Sequence, residues 1–207
     1  MLVDLTIREY LAETAGGNSV PAGGSASALS AALAASLTEK IANLIATKLD
    51  DVENKAQIEN LAERMNALRE EFTQCIDRDA DDYRELLAAY KMPNETEEEK
   101  ASRDEQVQKS VLIVAMGPFD VAEMAMRMMD FIFDVAKLAD KKTATDVCTA
   151  MFFARSAVIS ASLIVKENIL LLNSKQVVNE LTKKSEEFED LAVKKEKELL
   201  DWYKTMN

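Results

Sequence analysis

Four of the five glycines fall in two pairs, Gly16-Gly17 and Gly23-Gly24. The second pair lies in Ser19-Val20-Pro21-Ala22-Gly23-Gly24-Ser25, directly ahead of the small-residue run Ala26-Ser27-Ala28-Leu29-Ser30-Ala31-Ala32. Glycine tolerates positive φ and lets another group come close to the backbone, so the spacing predicts a tight, shaped loop. The Ala/Ser/Leu run predicts a helix whose first N–H groups have no intrahelical partner and carry the positive end of the dipole. Such an end suits a polar or anionic ligand, and equally a plain capped turn with Ser25 as N-cap.

Two acidic groupings could do proton chemistry. In Asp77-Arg78-Asp79-Ala80-Asp81-Asp82-Tyr83, four aspartates fall within six positions. Aspartate is a mediocre helix former and like charges repel, so this density is locally unfavourable. It reads either as a solvated acidic face or as a carboxylate held at a site, its pKa moved by burial or by a like-charged neighbour. Helical spacing puts Asp79 and Asp82 on one face, Asp77 and Asp81 on the next, and Arg78 within reach of Asp82. The second grouping is Thr145-Asp146, at the predicted start of a later helix, where N-capping alone explains the pair. On that helix Arg155 is the only charged residue from Met151 to Val165. A lone cation there needs a carboxylate partner, a route to water or a carboxylate ligand.

The chain contains no histidine. That excludes Ser-His and Cys-His nucleophilic pairs, His-containing zinc sites and the Glu-x-x-His di-iron bundle. Acid–base work falls to Asp, Glu, Lys, Tyr, Cys or the backbone, and no metal site is expected. With 37 acidic residues against 25 basic and a net charge of −12, nucleic-acid binding is an unlikely class of function. Cys75 and Cys148 have neither metal-site spacing nor the density of a secreted disulfide scaffold. Met1-Leu2-Val3-Asp4 lacks a signal layout, and no apolar run reads as a bilayer span, so the expectation is a cytoplasmic protein without a membrane partner.

These groups have to be positioned by helices. Three prolines and five glycines leave few breaks, and no segment alternates like a strand. Thr6 with Glu9 predicts a capping box for a helix near 6–14. A second helix near 25–47 carries Leu29, Leu33, Leu37, Ile41 and Leu44 along one face, with Ala and Ser elsewhere, which predicts a central position. A third, near 52–90, has the core stripe Ile58, Leu61, Met65, Leu68 and Phe72. Met92-Pro93-Asn94 ends it, and the acidic Glu95–Glu99 run begins the next. Gly117-Pro118 predicts a break or kink before a helix near 119–138. There Met124, Met126, Met128 and Met129 suit core or interface packing. Helices near 146–172 and 175–205 follow, the last with one apolar stripe. The fold expected is all-α: a single domain over 1–207, a bundle of long antiparallel helices dimerising through helical faces.

In ordered set, these residues resemble the cyclodeaminase/cyclohydrolase family. The resemblance rests on Pro21-Ala22-Gly23-Gly24-Ser25 with its Ala/Ser/Leu helix, then Asn43-Leu44 before Lys48. It continues through Asp79-Ala80 with Tyr83, Tyr90-Lys91-Met92-Pro93, Arg103, Thr145-Asp146 and Asn168. It spans roughly residues 5–172. The family motif is usually Pro-Gly-Gly-Gly-Ser, with Ala22 here at the first glycine. The family also commonly has two asparagines near the end of the later helix. Here Ile164 stands at the first position and Asn168 at the second.

The resemblance implies a homodimer binding a reduced folate in a cleft near the subunit interface, with the folate as substrate and no separate cofactor. The implied chemistry is at the carbon linking N5 and N10 of tetrahydrofolate. Methenyltetrahydrofolate cyclohydrolase is favoured because the chain stands alone. The alternatives are formiminotetrahydrofolate cyclodeaminase and an inactive folate-binding dimer. Asp79 and Asp146 are the expected acid–base pair, approaching the cleft from different helices or from both subunits. Pro21, Gly23, Gly24, Ser25, Lys48, Arg155 and Asn168 are the expected substrate contacts.

Overall fold

A computed structural model describes residues 1–206, which contain six α-helices and no strand. They are α1 (Ile7–Thr14), α2 (Gly23–Ala46), α3 (Val52–Tyr90), α4 (Glu97–Ala136), α5 (Ala144–Asn168) and α6 (Lys175–Thr205). Capping boxes start α1, from Thr6 and Glu9, and α4, from Thr96 and Glu99. Asp51 and Ser174 cap α3 and α6 with their side chains.

Neighbouring long helices run antiparallel, as their side-chain register shows. From α2 to α5, Ser27 Oγ donates to Ser160 Oγ (2.8 Å), Ser30 Oγ to the Phe153 carbonyl (2.9 Å) and Lys40 Nζ to Asp146 (2.8 Å). From α2 to α3, Ser25 meets Asp79 while Glu39 meets Arg69. On one side α4 closes over this α3–α2–α5 layer, and α6 covers α4 and α5.

Helix α2 is central, as its composition predicts, and its alanine face makes the close contacts. Ala28, Ala31, Ala34, Ala35, Ile41 and Ala42 are fully buried, whereas Leu33 is 43% and Leu44 40% exposed. Small residues let α3, α4 and α5 come close to the α2 backbone, and that contact uses the alanine face. Leu33 and Leu44 point outward while Leu29 and Leu37 are half-buried against the core, and on the adjacent α5 Phe152 (44% exposed) and Leu163 (55%) are exposed as well. An open apolar face over two adjacent helices results.

Two further expectations change. Gly117-Pro118 does not divide two helices: Pro118 is buried inside the continuous α4. Helices α2 and α5 also do pass a length-and-hydropathy test for bilayer spans, with mean hydropathies of 1.2 and 1.7, although half of each window is buried in the bundle. The methionines behave as expected for core: Met128 and Met129 are fully enclosed.

Candidate active-site cleft

The N-terminus of α2 meets α3, the middle of α4 and the end of α5 at one end of the bundle. The resulting cleft encloses about 260 Å³ and is lined by Val20, Gly23, Gly24, Asp79, Tyr83, Val114, Ile164 and Asn168, among others. Ser25 is not the N-cap of α2. That position is Ala22, which offers no side-chain cap. Asp79, from another helix, supplies the missing acceptor: Ser25 N–H donates to its Oδ2 at 2.8 Å. A carboxylate at a helix N-terminus satisfies an orphan donor and complements the dipole.

The close approach explains Gly24. A Cβ at that position would lie 1.8 Å from Asp79 Oδ1. No glycine among the described residues has positive φ, so the pair serves proximity rather than a left-handed turn. Ala22 has φ −128°, a conformation open to any residue, and its methyl is accommodated. Gly23 faces Ile164, whose Cδ1 lies 3.2 Å from where a Cβ would be.

Burial pushes the pKa of Asp79 above the ordinary aspartate value, opposed by hydrogen bonds from the Ser25 hydroxyl and N–H. Ser25 Oγ lies 2.9 Å from Asp79 Oδ2 and 2.9 Å from the Ile76 carbonyl. Its single proton serves the ionised carboxylate, or turns to Ile76 when a protonated Asp79 donates to Oγ. Oδ1 makes no hydrogen bond among the described residues and packs against Gly24, and the residue as a whole lines the cleft.

The other aspartates of the cluster take different roles. Asp77 accepts from the Leu2 N–H, and Asp81 pairs with Arg84 at 2.5 Å. Asp82 lies near Gly117 and has its pKa raised by burial, against the opposing charge of Arg78.

Sequence-based expectation missed Tyr10. It is the one buried residue of α1, only 9% exposed, and its hydroxyl has no hydrogen-bond partner. Burial and the charge of Asp79 both push its ionisation upward, opposed by the nearby Thr14 hydroxyl, whose own proton goes to the Tyr10 carbonyl. The available signal was a tyrosine at the centre of a short helix two residues into a charged stretch, which by itself names no partner.

Within one chain, the cleft gathers Gly23, Gly24, Asp79 and Asn168, with Ser25 behind Asp79. Pro21 is buried beside it, on a neighbouring hollow with Asp77 and Asp81. It does not gather the rest. Asp146 pairs with Lys40 at the other end of α5, about 27 Å along the helix from Ile164 at 1.5 Å per residue. Lys48 pairs with Asp140 at 2.9 Å at that same far end. Arg155 lies 3.2 Å from Glu196 of α6, a carboxylate partner within the chain, though its Nε makes no hydrogen bond among the described residues. A larger hollow of about 720 Å³, between the start of α3 and the end of α4, includes none of the expected site residues.

A sequence model of the family described as formiminotransferase-cyclodeaminase matches residues 6–187. The chain belongs to that family. It is 28% identical over 181 residues to a methenyltetrahydrofolate cyclohydrolase of Methylorubrum extorquens, covering 87% of each chain. It is 23% identical to a formimidoyltransferase-cyclodeaminase of Rattus norvegicus over 88% of its own length and 33% of that protein. The fold matches a crystal structure described as formiminotetrahydrofolate cyclodeaminase from Thermotoga maritima, with a TM-score of 0.82, 19% identity and coverage of 97% and 98% of the two chains. Within this formiminotransferase-cyclodeaminase family, the glycine loop and the α3 aspartate form one contiguous unit in this chain.

Proposed function

We propose that the protein is a methenyltetrahydrofolate cyclohydrolase, converting 5,10-methenyltetrahydrofolate and water to 10-formyltetrahydrofolate. The observation that carries this reading is Asp79: a half-buried carboxyl with a raised pKa that lines the cleft and is anchored there through Oδ2 by Ser25. The named cyclohydrolase of M. extorquens, similar over most of both chains, supports it.

In this reading water attacks the cationic methenyl carbon while Asp79 takes a proton from it. The neutral tetrahedral adduct then collapses. The carbon–N5 bond breaks, Asp79 returns its proton to N5, and the adduct hydroxyl releases its proton to solvent as the formyl group forms on N10. One proton is released overall. The anionic carboxylate also stabilises the cationic carbon before attack. The same groups suit the reaction in which N10 attacks a formimino carbon and ammonia leaves. That second reading draws support from the relatives named for cyclodeaminase.

The working unit we propose is a cytoplasmic homodimer formed through the α2/α5 face, where Leu33, Leu44, Phe152 and Leu163 are exposed. A two-fold axis across the middle of that face would lay the Asp146 end of one chain over the Gly23 end of the other. Asp146, with Lys40 and Lys48 at the same end, would then complete the cleft from the partner subunit. Asp146 would orient the base or stabilise the cation.

The test is absorbance of the methenyl chromophore with purified protein. The expected result is its accelerated loss in water with 10-formyltetrahydrofolate as product. Appearance of the chromophore from formiminotetrahydrofolate with ammonia release, and no accelerated loss, would establish the second reading instead.

A further inference from the structure

Pro118 has no N–H, so the carbonyl four residues earlier, that of Val114, loses its α4 hydrogen-bond donor. A buried carbonyl left unpaired is costly, and here Asn168 of α5 takes the vacant place: its Nδ2 donates to the Val114 oxygen at 3.1 Å. Val114 and Asn168 both line the cleft. An asparagine amide has one donating and one accepting end. A carbonyl can only accept, so this bond fixes which end of Asn168 is which. The NH2 group is spent on α4, and Oδ1 makes no hydrogen bond among the described residues, on a side chain that lines the cleft.

We propose that Pro118 is a positioning residue: by freeing the Val114 carbonyl it orients Asn168 so that Oδ1 accepts from the 2-amino group on the ligand's pyrimidinone edge. This rests on the reduced-folate reading above. The pterin of a reduced folate carries N–H donors at its 2-amino group and N3, and both need acceptors when taken out of water. The α2 N-terminus opposite offers only donors, so it cannot serve that edge. Asn168 supplies the acceptor, in a cleft whose walls include the apolar Val20, Val114 and Ile164.

Pro118→Ala puts an N–H back under the Val114 carbonyl and draws it into the helix. Equilibrium binding of 5-formyltetrahydrofolate and of its 2-desamino analogue would be measured on wild type, Pro118→Ala, Asn168→Ala and the double variant. For the amino ligand, each single variant is expected to bind about tenfold more weakly, the worth of one buried hydrogen bond. The double variant should bind no worse than either single one. The 2-desamino analogue should bind all four proteins alike. Melting temperature should hold or rise in Pro118→Ala, because alanine favours the helix interior. Wild-type affinity in Pro118→Ala, or losses that add in the double variant, would overturn the inference. Failure of wild type to bind either ligand would overturn the folate reading and the ligand half of the inference. The positioning half is then read without ligand, from the Asn168 side-chain amide resonance: an unchanged shift in Pro118→Ala would overturn it.

Discussion

Asp79 occupies the space that a side chain at Gly24 would need: a Cβ there would fall 1.8 Å from Asp79 Oδ1. The glycine loop and the acidic cluster, which look independent in sequence, are two halves of one contact. Gly24→Ala must therefore expel the carboxyl from its seat on Ser25. Turnover should fall by at least about two orders of magnitude, as expected when a positioned acid–base group is displaced. The melting temperature should fall by only a few degrees, since the clash is with the far end of one flexible side chain and leaves the alanine face of α2 in place. A proportionate loss of both, read by kinetics and thermal denaturation on one preparation, would make the contact purely structural.

The raised pKa of Asp79 has a defined sign for stability. The folded protein holds this proton more tightly than the unfolded chain, so this group's contribution is most favourable at low pH. It is lost as pH rises from the ordinary aspartate value, about 3.9, through the raised folded value. Asp79→Asn removes the term while keeping an oxygen for the Ser25 N–H. The variant should match wild type in acid and exceed it in stability at neutral pH, measured by denaturant titration across that range. A variant less stable at neutral pH would show that the ionised carboxylate stabilises the fold.

Tyr10 carries a buried hydroxyl without a partner, and such a group costs about 1–3 kcal/mol. Tyr10→Phe fills the same space without that cost. Its unfolding free energy should equal or exceed that of wild type. A clear loss of stability would mean that the hydroxyl is bonded in solution.

The exposed leucines give the dimer its own test. Leu33→Glu with Leu163→Glu should convert a particle of twice the chain mass to a monomer by light scattering, with the helical circular dichroism retained. If wild type itself is monomeric at micromolar concentration, the α2/α5 face is not a self-interface.

Helix positions were legible because apolar period and capping residues are local signals. Ile58, Leu61, Met65 and Phe72 are buried as their spacing predicts. The facing of α2 was not legible, because a leucine stripe and an alanine stripe both qualify as core. Only the closeness of α3, α4 and α5 selects the alanines. Asp79 could be singled out as an aspartate in an unfavourable cluster, but its seat on Ser25 is a contact across 54 residues. Asp146, Lys48 and Arg155 carried the right residue types and were placed by helix length and ion pairing away from the cleft. Pro118 looked like a break because its missing N–H is visible in sequence, while the Asn168 amide that compensates for it is not.

Asp79 as the proton-transferring group is the central claim. The most direct measurement is the rate at which purified wild type and Asp79→Asn hydrolyse 5,10-methenyltetrahydrofolate, at matched folding and above the uncatalysed background. The account predicts a drop of about 10²–10⁴-fold in kcat. It also predicts that wild-type kcat/KM rises with pH through a pKa above that of ordinary aspartate. Near-normal turnover in Asp79→Asn would contradict it, leaving Asp79 as a cap borrowed from a neighbouring helix.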